Sequence, residues 1–118
     1  MAPASEYSDE TVVVRGGKLL SGDLQKSAEG HHAEFPDTGY AISVFLAPGM
    51  SAGQIAAAAR IPHKTVRSTT AGQLREAGWR LEPDEGYHAN LFLPDAPSEM
   101  LWQNLRALFA NETENSPP

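Results

Sequence analysis

The stretch His63–Gly78, "HKTVRSTTAGQLREAG", decides the fold, because it is either one helix or a strand followed at once by a second helix. Read as one helix from His63 to Ala77, it would hold Thr65, Val66, Ser68, Thr69, Thr70 and Gly72 in its interior. Each of these costs roughly 0.5–1 kcal/mol against Ala, about 3–4 kcal/mol together. Read as two elements, residues 64–68 are β-rich and extended, and Thr70 stands three residues before Gln73. At that spacing a hydroxyl takes a free backbone N–H at a helix start, and the Gln side chain returns to the cap's own N–H. The stretch "GMSAGQIAAAAR" (49–60) repeats the device with Ser51 and Gln54, and Met50 and Ile55 stand at the positions of a hydrophobic staple. Gly78 sits where a left-handed residue closes the second helix. The two-element reading predicts helices beginning near Ala52 and Ala71.

Working outward, "TVVVR" (11–15) is strand-like, and "SGDLQKSAEG" offers Ser21 as a helix cap and Gly30 as a stop. "GYAISVFLAP" (39–48) is nearly all apolar and predicts a central strand covered on both faces. "WRLEP" and "YHANLFLP" flank "PDEG" as a hairpin, with Ala89, Leu91 and Leu93 facing the core and His88, Asn90 and Phe92 opposite. A last helix opens at Ser98, with Leu101, Trp102, Leu105, Leu108 and Phe109 as its apolar stripe. The sum is an α+β, or small α/β, domain with a mixed sheet of about five strands and about four helices, in the order β-α-β-α-β-α-β-β-α. Residues 1–10 read as a disordered lead-in, 11–110 as a single globular domain and 111–118 as a disordered tail.

The chain has 118 residues, no cysteine and a net charge of −6. Those values predict one domain without disulfides, thiolate chemistry or a Cys-type zinc site. No apolar run approaches the ~20 residues of a membrane helix, and no basic-then-apolar leader opens the chain, so the expectation is a cytoplasmic protein with no membrane partner. The negative total argues against a surface that courts phosphate backbones throughout.

Four patterns carry candidate chemistry. "VVVRGGKLLSGD" places Arg15, Gly16, Gly17 and Lys18 between a strand end and a helix start, an expected anion or nucleotide site, although the phosphate-loop pattern fails at Val12 and Leu19. Gly49-Met50-Ser51-Ala52-Gly53 matches the turn that exposes a nucleophilic serine in hydrolases, with His88 and Asp84 or Asp95 as conceivable partners. A hydrolase core of that kind needs more strands than this chain holds, and Ser51 is accounted for as a cap. His31, His32, Glu34 and Asp37 form an acid–histidine cluster in an expected loop, but the spacing fits no rigid ligand frame, and no metal is expected. His88, beside Asn90 on a strand, is the natural general base near neutral pH.

Two families share parts of this pattern. "VVVRGG" with "AISVF" resembles the mono-ADP-ribosyltransferases, in which an Arg followed by Gly on an early strand holds the nicotinamide dinucleotide. The resemblance implies NAD at Arg15, a helping hydroxyl from Ser43 and a catalytic glutamate. The family's Ser-Thr-Ser run and Glu-x-Glu pair are absent, with Glu82 and Glu85 the nearest acids. Residues 51–93 resemble a winged helix-turn-helix with its recognition helix at about 63–77 and its wing in "WRLEPDEGYHANLFL". That resemblance implies DNA binding through Arg60, Lys64, Arg67, Arg75 and Arg80, while the long strand "YAISVFLA" departs from it.

The leading functional expectation is action through a protein partner, as a component of a toxin–antitoxin or similar two-part module, with no cofactor. The second is a small toxin-type enzyme, ADP-ribosyltransferase-like or a nuclease, with its anion site at Arg15, acid–base candidates His88 and Glu85, and NAD as cofactor only in the transferase case. The third is the winged-helix regulator, in which nucleic acid meets a local basic patch.

Overall fold

The computed structural model describes residues 7–116. The elements run β1 (Val12–Gly16), α1 (Ser21–Glu34), β2 (Ala41–Leu46), α2 (Ala52–Ala58), β3 (Thr65–Thr70), α3 (Ala71–Glu76), β4 (Arg80–Pro83), β5 (His88–Phe92), α4 (Glu99–Leu108) and β6 (Asn111–Glu114). The class is α+β. The strands form one sheet in the order β4-β5-β2-β1-β3-β6, and every pairing in it is antiparallel. No helix among the described residues is long and apolar enough to cross a membrane.

The decisive stretch is a strand followed at once by a helix. Thr70 ends β3 opposite Val12, and its hydroxyl accepts the Gln73 N–H at 3.3 Å to start α3. The unbroken helix from His63 to Ala77 that a winged helix-turn-helix requires is therefore not formed. Ser51 completes the full reciprocal cap on α2: Gln54 N–H donates to its hydroxyl at 3.2 Å, and its own N–H donates to Gln54 Oε1 at 2.9 Å. On α3 the return half is missing, because Gln73 Oε1 accepts the Thr69 hydroxyl at 2.8 Å instead.

Three expectations need correction. The sheet has six strands and is not mixed. Its extra strand, β6, comes from 111–114, a stretch whose polar composition reads as tail. As an edge strand it exposes its side chains and is held by backbone pairing to β3 and by a cross-strand Arg67–Glu112 ion pair at 3.5 Å. Second, Ser21 does not cap α1, and Gly30 does not stop it. Leu20 occupies the cap position, Ser21 Oγ donates to Glu99 on α4 at 2.8 Å, and the helix continues to Glu34. A mid-helix Gly costs about 1 kcal/mol, which the burial of Leu24 and Ala28 offsets. Third, His31, His32 and Glu34 lie on the last turn of that helix and not in a loop.

Of the expected lead-in, residues 1–6 lie outside the described residues. Asp9 is held against α3: its carbonyl accepts the Gly72 N–H at 3.0 Å, and its carboxylate pairs with Arg75 at 3.2 Å.

Side-chain alternation along the strands divides the core in two. The larger cluster gathers Val13, Ile42, Val44, Leu46, Leu81, Ala89 and Leu91 under Leu24 of α1, Leu74 of α3, and Trp102, Leu105 and Phe109 at α4. The smaller one packs Val14 and Val66 under Ile55 and Ala56 of α2, with Ile61. On that second side Ser43 stands opposite Asn90, and Phe45 opposite His88. Ser43, His88 and Asn90 are only half-buried there, while the apolar residues that alternate with them are fully buried.

Candidate functional site

β1 and β2 pair at Val13–Leu46 and Val14–Phe45 and then part, while Arg15 and Gly16 stay bound to β3. The gap opens a cleft of about 530 Å³, in which Arg15, Lys18 and Asp23 meet Ser43, His63 and Lys64. Its size falls within the ~300–1,000 Å³ of small-molecule sites. Arg15 NH1 donates to the Ser43 carbonyl at 2.6 Å, bridging the parted strands. That is the guanidinium's only hydrogen bond among the described residues, and no carboxylate of these residues forms an ion pair with it. Burial pushes its pKa below the ordinary arginine value, and Asp23 at longer range partly restores it. A guanidinium offers five donors in a fixed fork, so Arg15 has donors to spare for an anion in the cleft.

Gly16 and Gly17 line the same cleft, but the space they clear is occupied. A side chain at Gly16 would overlap the His63 ring, and one at Gly17 (φ +83°) would lie 3.2 Å from His63 Cδ2. The glycine pair seats an imidazole, so any anion here meets Arg15, Lys18, His63 and Lys64 side chains more readily than the glycine backbone. The loop that carries His63 is pinned from the far end of the chain. Asn115 Nδ2 donates to the Ile61 and His63 carbonyls at 2.9 and 2.8 Å, and its N–H donates to the Lys64 carbonyl at 2.8 Å.

A second cleft of about 470 Å³ shares Ser43 with the first, and Lys26, His31, Glu34, Phe35, His88 and Asn90 also line it. His88 Nδ1 lies 2.8 Å from Asp84 Oδ2. The hairpin turn fixes both partners: Asp84 N–H donates to the His88 carbonyl at 3.1 Å, and His88 N–H to the Glu85 carbonyl at 3.0 Å. Gly86 takes the left-handed turn position at φ +58°. The His88 ring meets Phe45 edge to face, 5.7 Å between centroids, so Phe45 touches His88 and also lines the cleft that holds His63.

The structure thus brings together Arg15, Gly16, Gly17, Lys18 and Ser43, with His88 on the adjoining floor. Glu85 is exposed in the turn and lines neither cleft. Ser51 caps α2 and lines neither cleft, and Asp95 binds the Ala96 N–H, so the serine-hydrolase grouping does not assemble. His31 packs on Phe35 and Phe92, and His32 stacks on Tyr40 at 4.2 Å. Among the described residues no three His, Asp or Glu side chains converge as a metal site. The five basic residues of the DNA-binding reading do not share one face. Arg67 pairs with Glu112, Arg75 with Asp9, and Arg80 with Glu82 at 2.8 Å. Arg60 follows α2, and Lys64 alone of the five enters the Arg15 cleft.

His63 escaped the sequence reading, whereas Asp84 was named there as a conceivable partner of His88 and the structure pairs the two. The one available signal for His63 was Gly16-Gly17, which announces a close approach without saying by what. No family model matches the chain, and neither a curated protein nor a solved structure is significantly similar to it.

Proposed function

We propose that this protein binds a phosphate-bearing, nucleotide-like ligand in the cleft beside β1, with Arg15 as the anchor, and that it acts as a small enzyme on that ligand. The observation that carries the reading is the state of Arg15. It is a half-buried cation, hydrogen-bonded to one neutral carbonyl and beside an open cleft. Partial withdrawal from water disfavours its charge, and Asp23 compensates only at longer range, so a bound phosphate would supply both the countercharge and the bidentate geometry that a guanidinium matches. Lys18 and Lys64 line the same walls, and Phe45 and Ile61 offer apolar contact for a base. The resemblance to mono-ADP-ribosyltransferases makes NAD the first dinucleotide to try and ADP the simpler companion.

Calorimetric titration with ADP and with NAD tests this. Binding is expected, lost in Arg15→Ala and recovered little in Arg15→Lys, which keeps the charge and loses the fork. Heats absent for both ligands, or unchanged in both variants, would overturn the reading.

A second reading, a protein partner in a toxin–antitoxin or similar two-part module within the cytoplasm, draws on a different feature. Leu20 and Met100 are 57% and 72% exposed, beside the Ser21–Glu99 hydrogen bond that joins the starts of α1 and α4. Exposed apolar side chains of this size are a common feature of contact surfaces. Co-purification of a defined partner, lost in a Leu20→Ser, Met100→Ser double variant, would support it.

A further inference from the structure

Resting on the anion-site reading, we infer that the two clefts form one site for a step of single-stranded RNA, cleaved at phosphorus by its own 2′-hydroxyl between His88 and His63. Ser43 lines both clefts. Strand pairing sets Ser43 against Asn90 and Phe45 against His88, so Ser43 and His88 are diagonal neighbours, about 7–8 Å apart. Ser43 thus carries the Arg15 guanidinium on its carbonyl and has His88 as a diagonal neighbour, and the inferred site sets one ribose-phosphate unit between the two.

His88 is prepared for proton transfer. With Asp84 taking the Nδ1 proton at 2.8 Å, Nε2 is left as the acceptor, and the hairpin holds both groups in place. His63 lines the first cleft together with Phe45, whose ring meets His88, and it is seated on the glycine pair with its loop pinned by Asn115. A base in one cleft, an acid in the other and a cation bound at the Ser43 that both clefts share suit a substrate that carries its nucleophile next to its phosphate. The 2′-hydroxyl of RNA is that nucleophile, and DNA lacks it. Phe45 in one cleft and Phe35, 48% exposed, in the other give each flanking base an aromatic surface.

The atoms balance without a further reactant. His88 Nε2 takes the 2′-hydroxyl proton, the 2′-oxygen bonds to phosphorus and the bond from phosphorus to the 5′-oxygen breaks. That oxygen leaves with a proton from His63, and solvent returns the proton from His88 to His63. The products are a 2′,3′-cyclic phosphate and a free 5′-hydroxyl. With a chain charge of −6, only the cations lining the clefts attract the backbone, so binding is short-range and weakens with salt.

The test uses an end-labelled DNA oligonucleotide with one internal ribonucleotide, its all-DNA counterpart, and a version carrying 2′-O-methyl at that position to read binding by anisotropy. The full chain is expected to cleave the first after the ribonucleotide, leaving a cyclic phosphate, and to spare the other two. Acid–base groups of this kind are worth roughly 10²–10⁴-fold, so His88→Ala and His63→Ala should each lose at least a hundredfold of cleavage while still binding the 2′-O-methyl strand. Asp84→Asn should lose a smaller factor, and Arg15→Ala should lose binding. His88→Gln, which keeps an amide for Asp84, replaces His88→Ala if that variant does not fold. Cleavage unaffected by either histidine, or Arg15-dependent binding without cleavage, overturns the inference and leaves the anion site standing. Failure to bind the oligonucleotide while ADP binds does the same. If neither the oligonucleotide nor ADP nor NAD binds, both readings fall.

Discussion

α2 and α3 are the same device with opposite imperfections. Both end in the same closing motif: Arg60 N–H donates to Ala57 and Ile61 N–H to Ala56 at the end of α2, as Gly78 N–H does to Arg75 and Trp79 N–H to Leu74 after α3. The left-handed residue that this motif requires is Gly78 at φ +92° in one helix and Arg60 at φ +57° in the other. At their starts the order reverses, since α2 has the complete cap and α3 only half of it. The difference teaches that a seven-residue or six-residue helix survives one poor terminus when the other is sound and an apolar residue is buried between them, Ile55 in α2 and Leu74 in α3.

The comparison can be broken at each terminus, and thermal or urea unfolding reads all of the changes. The largest loss is expected for Gly78→Ala. A side chain in the left-handed region costs about 1–2 kcal/mol, and the new Cβ would also press on Pro94 Cβ at 3.2 Å. Ser51→Ala should cost about 1 kcal/mol by removing the hydroxyl that accepts the Gln54 N–H while the Ser51 backbone N–H keeps its bond to Gln54, and Thr70→Ala should cost a similar amount because it too loses one bond. A distinctly larger loss in Ser51→Ala would mean that the Gln54 return bond does not survive without the hydroxyl. Arg60→Gly should stabilise, by about 0.5–1 kcal/mol, since relief of the left-handed backbone exceeds the added chain entropy; nothing in the structure explains why arginine stands there. A stability loss in this variant would show that the Arg60 side chain makes a contact of its own.

The smallest effect belongs to Glu99, which ties the starts of α1 and α4. Its pKa is lowered by hydrogen bonds from Ser21, then from Arg106 and Gln103, and by the Arg106 charge, against a desolvation that raises it. A carboxyl whose folded value is depressed contributes stability above its unfolded pKa and loses it as pH falls through the folded value. The contribution is therefore complete at neutral pH and fades on acidification below the ordinary carboxyl range. Glu99→Gln should flatten that part of the stability–pH curve slightly, and an unchanged curve would remove Glu99 from the account.

Much of this fold was legible because local chemistry and tertiary structure agree. The β-branched run at 65–70, the Thr70 cap and Gly78 all point to one solution, and the structure adopts it. The hairpin around Gly86 and the α4 stripe were read in the same way. Legibility failed where a residue takes a distant partner instead of a near one. Ser21 has the right chemistry to cap α1 but reaches Glu99 instead. "NETEN" lacks any apolar periodicity, and its pairing is visible only from β3. Around the site, Arg15 and Ser43 were readable as candidates one at a time, whereas the placement of His63 depends on a glycine pair some 45 residues upstream in sequence and on Asn115 far downstream, which no local pattern announces.

The Asn115 clamp also sets an order of events during synthesis. Its amide binds carbonyls 54 and 52 residues earlier in the chain. β1 and β2 can pair and Arg15 can reach the Ser43 carbonyl as soon as residue 46 is free, and the opposite wall is first held by buried Ile61 and by the Gly17 N–H bond to the Thr65 carbonyl, but its Asn115 bonds wait until that residue emerges. The cleft is thus completed by a side chain 100 positions after its anchoring arginine in the sequence.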